Sequence, residues 1–119
     1  MNNKLGSVVI PVFNAEKFVG KTISSVLAQT YSELEVLIVD DGSPDRSIEI
    51  CRQFDDPRIK IIQQANRGLA GARNTGIRQA TGDYIALVDA DDLWTEDKIE
   101  KHVGHLETNP HVGISFSYS

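Results

Sequence analysis

The stretch EVLIVD, Glu35 to Asp40, is apolar at each of its inner positions. Such a run has no polar side to turn toward water, so it fits a strand covered on both faces, as in a parallel sheet flanked by helices. Comparable strands are expected at SVVIPVF (Ser7 to Phe13), IKIIQ (Ile59 to Gln63) and YIALVD (Tyr84 to Asp89), with a further one at VGISFSYS (Val112 to Ser119). Helical patterns fill the gaps. The first runs from about Ala15 to Ala28, where Phe18, Val19, Ile23, Val26 and Leu27 recur near a 3.6-residue period. The second lies in DGSPDRSIEICRQF, with Ser43 as its cap and Pro44 in its first turn. The third spans Ala70 to Ala80 and ends at Gly82. The fourth is capped by Thr95 and carries Glu96 and Asp97 in its first turn, where acids suit the helix dipole.

Strand and helix thus alternate four times, the pattern of βαβ units in an α/β fold with a mainly parallel sheet. Right-handed crossovers place helices on both faces. With 119 residues, 40% of them hydrophobic and 24% charged, residues 1–119 fit one globular domain. In open sheets of this kind, ligands bind beyond the carboxyl ends of the strands. That rule directs attention to Pro11 to Asn14, Asp40 to Ser43, Gln64 to Gly68 and Asp89 to Asp92.

Charge narrows the ligand. A formal net charge of -5 argues against a nucleic-acid partner, whose binders carry a basic face. A small anion is acceptable where local cations or a metal receive it. Cys51 is the sole cysteine, which rules out an intramolecular disulfide and reads as an inert residue on a helix face. The sequence contains no secretory leader pattern, no apolar run near 20 residues and no lipidation signal, and it reads as soluble and cytoplasmic.

Asp89 and Asp91 stand two apart and face the same way in an extended segment. With Asp92 they crowd three carboxylates together, which raise one another's pKa values unless a cation intervenes. Mg²⁺ or Mn²⁺ meets that need, because such ions accept one or two carboxylates plus the phosphates of a substrate. A solvated acidic turn capping the next helix is the alternative. Asp40 and Asp41 end another strand before Gly42, which permits a sharp turn; a carboxylate there accepts from a pyrimidine ring N–H, or else Asp41 forms a side-chain turn with Ser43. NRGLAGARNTG (Asn66 to Gly76) offers Arg67, Arg73 and backbone N–H groups to a diphosphate, or uses its glycines for packing and its arginines for solvent. It matches neither the dinucleotide fingerprint nor the P-loop. His102 and His105 lie one turn apart and read as surface residues.

VVIPVFNAEKFVGKTISSVLAQTY, VLIVDDGSPD, NRGLAGARNTG and GDYIALVDADD together, in order and spacing, resemble the nucleotide-binding half of the family 2 inverting glycosyltransferases, which have the GT-A fold. The likeness covers nearly the whole chain. It implies a Rossmann-like domain in which Pro11, Val12, Phe13 and Asn14 border the nucleotide, with Phe13 packing on the base where many relatives have Tyr. It implies that Asp41 reads the base and that Arg73 flanks the nucleotide and diphosphate. The DxD motif falls on Asp89, Ala90 and Asp91, with Asp89 near the ribose and Asp91 on Mn²⁺ or Mg²⁺.

The implied reaction moves a sugar from a nucleotide-diphosphate sugar, expected to be a UDP-sugar, to an acceptor hydroxyl with inversion. The acceptor would be a sugar, a polysaccharide or a lipid-linked molecule, and the full-length protein membrane-associated. The family's general base belongs to a later segment, so no catalytic residue is assigned within the chain. It is expected beyond Ser119, with residues 1–119 forming a donor-binding part truncated before the acceptor half. Two rivals stand beside this reading. One is a haloacid-dehalogenase-like phosphatase with Asp89 as nucleophile and Asp91 as acid, although Leu93 occupies a place where Thr or Val is expected. The other is a nucleotide-binding module without chemistry.

Overall fold

The computed structural model describes residues 5–29 and 33–90, and the backbone of 114–116. The helix expected after Thr95, together with Glu96, Asp97, His102 and His105 and the acidic residues Asp91 and Asp92, falls outside the described residues. Strands β1 (Gly6–Val12), β2 (Leu34–Asp40), β3 (Ile59–Gln63), β4 (Tyr84–Leu87) and β5 (Ile114–Phe116) form one sheet in the order β3-β2-β1-β4-β5. Every pairing is parallel. Helices α1 (Val19–Leu27), α2 (Ser47–Arg52) and α3 (Gly68–Gln79) lie between the first four strands in sequence.

Side-chain alternation along the strands divides the core into two layers. Val8, Ile10 and Val12 of β1 and Val36 and Ile38 of β2 pack with Val19, Ile23 and Val26 of α1 and Cys51 of α2. Val9 and Leu37 point the other way and meet Leu87 and Ile77, the latter on α3. Both faces of β1 and β2 are therefore covered, as their unbroken apolar sequence requires. Full burial of each aliphatic side chain stabilises the fold by roughly 1.5–3 kcal/mol. On the α3 side the approach is close: a Cβ built on Gly76 would lie 2.3 Å from Cγ1 of Val9.

Among the described residues the expected strands and the first three helices are present, with three corrections. Phe18 precedes α1 and is 54% exposed, while Thr22 takes a place on the buried face. Ser43 does not cap α2, which begins at Ser47; the carboxylate of Asp45 accepts from the Ser47 N–H and hydroxyl instead. Gly82 does not terminate α3 either. The helix stops at Gln79, Ala80 is extended, and the Gly82 N–H donates to Oγ of Ser7 at 2.8 Å.

Ser7 belongs to a polar cluster at the amino end of the sheet. The buried carboxylate of Glu35 on β2 accepts hydrogen bonds from the Ser7 hydroxyl of β1, from Lys60 of β3 at 2.9 Å, and from the N–H and hydroxyl of Thr81. One side chain so ties three strands to the loop that leads into β4. Burial pushes its pKa up, but the hydrogen bonds from Ser7, Lys60 and Thr81 outweigh burial and hold it at about 2 against an ordinary 4.5.

The unfolded chain therefore binds a proton here that the folded chain refuses. This stabilisation, on the order of 3 kcal/mol, is complete above the unfolded pKa and is lost as pH falls toward the folded one. The thermal stability of the wild type should fall steeply between pH 5 and pH 2, and Glu35→Gln should be less stable at neutral pH but flatter across that window. Equal slopes for the two proteins would contradict the assignment.

Candidate functional site

The strand order places the site. The chain builds outward from β1 to β2 to β3, then returns across the opposite face through α3 to pair β4 with the free side of β1. The connections leave β1 and β4 in opposite directions, which opens a crevice outside their carboxyl ends. Two cavities lie there. One of about 280 Å³ is lined by Pro11, Val12, Phe13, Asp41, Asn66, Gly68, Leu69 and Ala72. The other, of about 310 Å³, is lined by Phe13, Asn14, Ala15, Phe18, Asp89 and Ala90, and shares Pro11 and Leu69 with the first.

Hydrogen bonds between loops fix the walls. After β1, the N–H groups of Asn14, Ala15 and Glu16 donate in turn to Ser43 Oγ at 3.2 Å, Ser47 Oγ at 2.8 Å and Asp45 Oδ2 at 3.1 Å. Asn14 has a positive φ of 53°, a conformation that asparagine tolerates better than most residues. At the end of β2, Asp40 accepts from the Ser43 N–H at 3.2 Å. Gly42, at φ 74°, turns the chain where a Cβ would stand 3.1 Å from the Asn66 nitrogen. The DDGSPDRS segment is thus a set of acceptors for the preceding loop, a role the sequence reading did not assign to Asp45 or Ser47.

Asp41 is 2% exposed. Its Oδ1 accepts from the Arg67 N–H at 2.8 Å and from the Gln64 amide at 2.9 Å, and the other end of that amide accepts from Thr75 at 2.7 Å. Asp41 therefore holds the β3–α3 loop in place while lining the first cavity. The expected side-chain turn to Ser43 belongs to Asp40.

Arg73 and Asp89, distant in sequence, form an ion pair at 3.0 Å. The Nε of Arg73 is buried and has no hydrogen-bond partner among the described residues. Buried donors are seldom left unpaired. Of the expected site residues, Pro11, Val12, Phe13, Asn14, Asp41, Arg73, Asp89 and Ala90 all gather at this end of the sheet; Asp91 lies outside the described residues. Phe13 and Leu69 are 50% and 51% exposed at the shared rim. Leu69 was not anticipated: the expected helix began at Ala70, whereas α3 begins at Gly68 and includes it.

A family model described as glycosyl transferase family 2 matches residues 7–118. The chain belongs to this family. Family 2 relatives include the Escherichia coli protein named UDP-Glc:alpha-D-GlcNAc-diphosphoundecaprenol beta-1,3-glucosyltransferase WfgD, 40% identical over 99% of this chain and 46% of its own length. Glycosyltransferase GlyG of Streptococcus pneumoniae is 44% identical over 98% of this chain and 40% of its own. The chain thus spans less than half the length of these relatives.

Among solved structures, the mannosyltransferase PcManGT from Pyrobaculum calidifontis, in complex with GDP-Man and Mn²⁺, superposes with a TM-score of 0.82 at 28% identity, covering 88% of this chain and 33% of that one. S. aureus TarS in complex with UDP-GlcNAc gives 0.79 at 26% identity, covering 89% and 32%. These likenesses establish the GT-A α/β fold. Family 2 membership also replaces the phosphatase alternative. Among the described residues no helix is long and apolar enough to cross a membrane.

Two variants separate the roles open to Asp41. Losing a charged hydrogen-bond partner costs roughly 1.5–3 kcal/mol, so Asp41→Ala should lower UDP affinity by about tenfold or more. Asp41→Asn retains an acceptor for the loop but offers an amide N–H where a ring N–H must be received. Its affinity, measured by calorimetry, should fall nearly as far; wild-type affinity in Asp41→Asn would reduce the residue to a loop anchor.

Proposed function

We propose that residues 1–119 form the donor-binding part of a family 2 glycosyltransferase that transfers a sugar from a nucleotide-diphosphate sugar, a UDP-sugar, to an acceptor hydroxyl with inversion. The observation that carries this reading is the pair of cavities sharing Pro11, Phe13 and Leu69 at the carboxyl end of the sheet, one walled by Asp41 and the other by Asp89, whose carboxylate is paired with Arg73. One relative named for a UDP-Glc donor and a diphosphoundecaprenol-linked acceptor, and neighbours in complex with UDP-GlcNAc or GDP-Man, support the donor class and favour a lipid-linked acceptor.

In this reading the base enters the smaller cavity. Phe13 supplies an exposed aromatic face for stacking, and Asp41 receives the ring N–H. The ribose and diphosphate occupy the larger cavity beside Asp89, and Arg73 directs guanidinium N–H groups toward the phosphates, strengthening as the leaving group gains charge. The donor set also suits a hard divalent cation. Asp89 presents carboxylate oxygen on the cavity wall, and Mg²⁺ or Mn²⁺ is ordinarily held by one or two carboxylates plus substrate phosphates; the described residues contain no group of three or more potential metal ligands. Asp89 with Asp91 would hold the ion. When bound, it acts as a Lewis acid toward the departing diphosphate.

No catalytic base is assigned among the described residues. Asp40 accepts from Ser43, Asp41 anchors the β3–α3 loop, and Asp89 is paired with Arg73. Donor capture is accordingly the activity proposed for this chain, and acceptor-dependent transfer is proposed for the longer protein.

A ligand that binds only the folded state raises its stability, by about 2.7 kcal/mol at 100 times Kd. UDP with Mn²⁺ should raise the melting temperature by several degrees, more than GDP or CDP does, and EDTA should shrink the rise. Absence of a shift with every nucleotide, with and without Mn²⁺, would refute the donor-site reading.

A further inference from the structure

One buried contact joins the nucleotide end of the sheet to a helix that lines neither diphosphate nor base. Thr22 sits in the middle of α1 and is 0% exposed. Its hydroxyl lies 2.7 Å from the carbonyl oxygen of Ala90 and 3.3 Å from that of Phe18, one turn back in its own helix. A hydroxyl has one proton to give. The shorter distance is the usual one for an O–H···O bond, so the proton goes to Ala90 and the intrahelical contact is secondary.

Ala90 stands between Asp89 and Asp91 of the DADD segment, and its carbonyl belongs to the peptide group that joins it to Asp91. The turn is held from both faces of the sheet. On the α1 face Thr22 fixes the Ala90 carbonyl; on the α3 face Arg73 fixes the Asp89 carboxylate at 3.0 Å. Between them the Val88 N–H donates to the Val9 carbonyl at 3.1 Å, the last tie of the turn to β1. Ala90 is 8% exposed, so without Thr22 its carbonyl would be a buried acceptor lacking its hydroxyl donor. On the buried stripe of α1 formed by Val19, Ile23 and Val26, an apolar residue would pack equally well. Among the described residues the shorter hydrogen bond of this hydroxyl goes to the Ala90 carbonyl, and that bond accounts for a polar choice at position 22.

We propose that Thr22 is a positioning residue for the segment after β4: it holds the backbone at Ala90, next to the Asp89 carboxylate, without touching the ligand. This rests on the donor-site reading above. Site-directed Thr22→Val keeps the shape and removes the hydroxyl; Thr22→Ser restores the hydroxyl without the methyl group; Thr22→Ala serves if the valine variant does not fold.

Two readouts test the claim. In the unliganded chain, hydrogen exchange in the peptide carrying residues 84–90 should quicken in Thr22→Val and return to the wild-type rate in Thr22→Ser, while exchange in β2 stays unchanged. In calorimetry, Thr22→Val should lose about tenfold in UDP affinity with Mn²⁺ present, yet bind UDP in EDTA within about twofold of wild type, because the base cavity is intact. Equal loss with and without Mn²⁺, or failure of Thr22→Ser to rescue, would make Thr22 a packing residue and overturn the proposal. Unchanged exchange together with unchanged affinity would overturn it as well. If wild type binds no nucleotide while exchange still responds to Thr22→Val, the donor-site reading is what fails, and the functional part of this proposal falls with it.

Discussion

After β3 the chain must return across two strands to reach the open side of β1, and α3 makes that journey on the face left free by α1 and α2. The rest of the structure depends on this crossing. It leaves β1 central with both faces covered, and it divides the loops that follow β1 and β4 so that a crevice opens between them. It also delivers Arg73, on α3, to the end of β4, where it meets Asp89. The close fit of Gly76 against Val9 is the local condition for the helix to lie low enough on the sheet for that meeting.

The two ends of the sheet use carboxylates in contrasting ways. At the amino end, Glu35 is buried within a surplus of donors, which keeps it ionised and fastens three strands. Nothing is left for a ligand. At the carboxyl end, Asp41 and Asp89 border the cavities, and among the described residues a donor of Arg73 has no acceptor. Asp45 belongs to the scaffold between these extremes: burial raises its pKa, but hydrogen bonds from Ser47 and Glu16 more than offset that and lower it. Acidic residues alone do not mark a site here; the marker is acid beside space and unpaired donors.

Much of this was legible in the sequence because the strands are short, apolar and separated by helical periods, and because polar residues collect after each strand. Asp40, Asp41 and Asp89 could be placed at strand ends without coordinates. What could not be read is anything set by strand order. The salt bridge of Arg73 with Asp89 and the bond from Thr22 to Ala90 join residues 16 and 68 positions apart, and only the return of β4 to the side of β1 brings them together. Local signals misled at Ser43, a good capping residue drawn away by the loop after β1, and at Phe18, whose place in the helical period did not reveal that the helix starts one residue later. Gly82 followed a helix, as a C-terminal glycine does, yet it serves the close approach of the β4 loop to Ser7.

The central claim is that the carboxyl end of this sheet is a nucleotide site and the amino end is structural. An NMR titration of the isotope-labelled chain with UDP and Mg²⁺ tests it most directly. Amide shifts should concentrate in residues 12–15, 41–43, 64–73 and 88–90, and should spare Ser7, Glu35, Lys60 and Thr81. Shifts centred on the Glu35 cluster, or spread evenly over the sheet, would contradict the account.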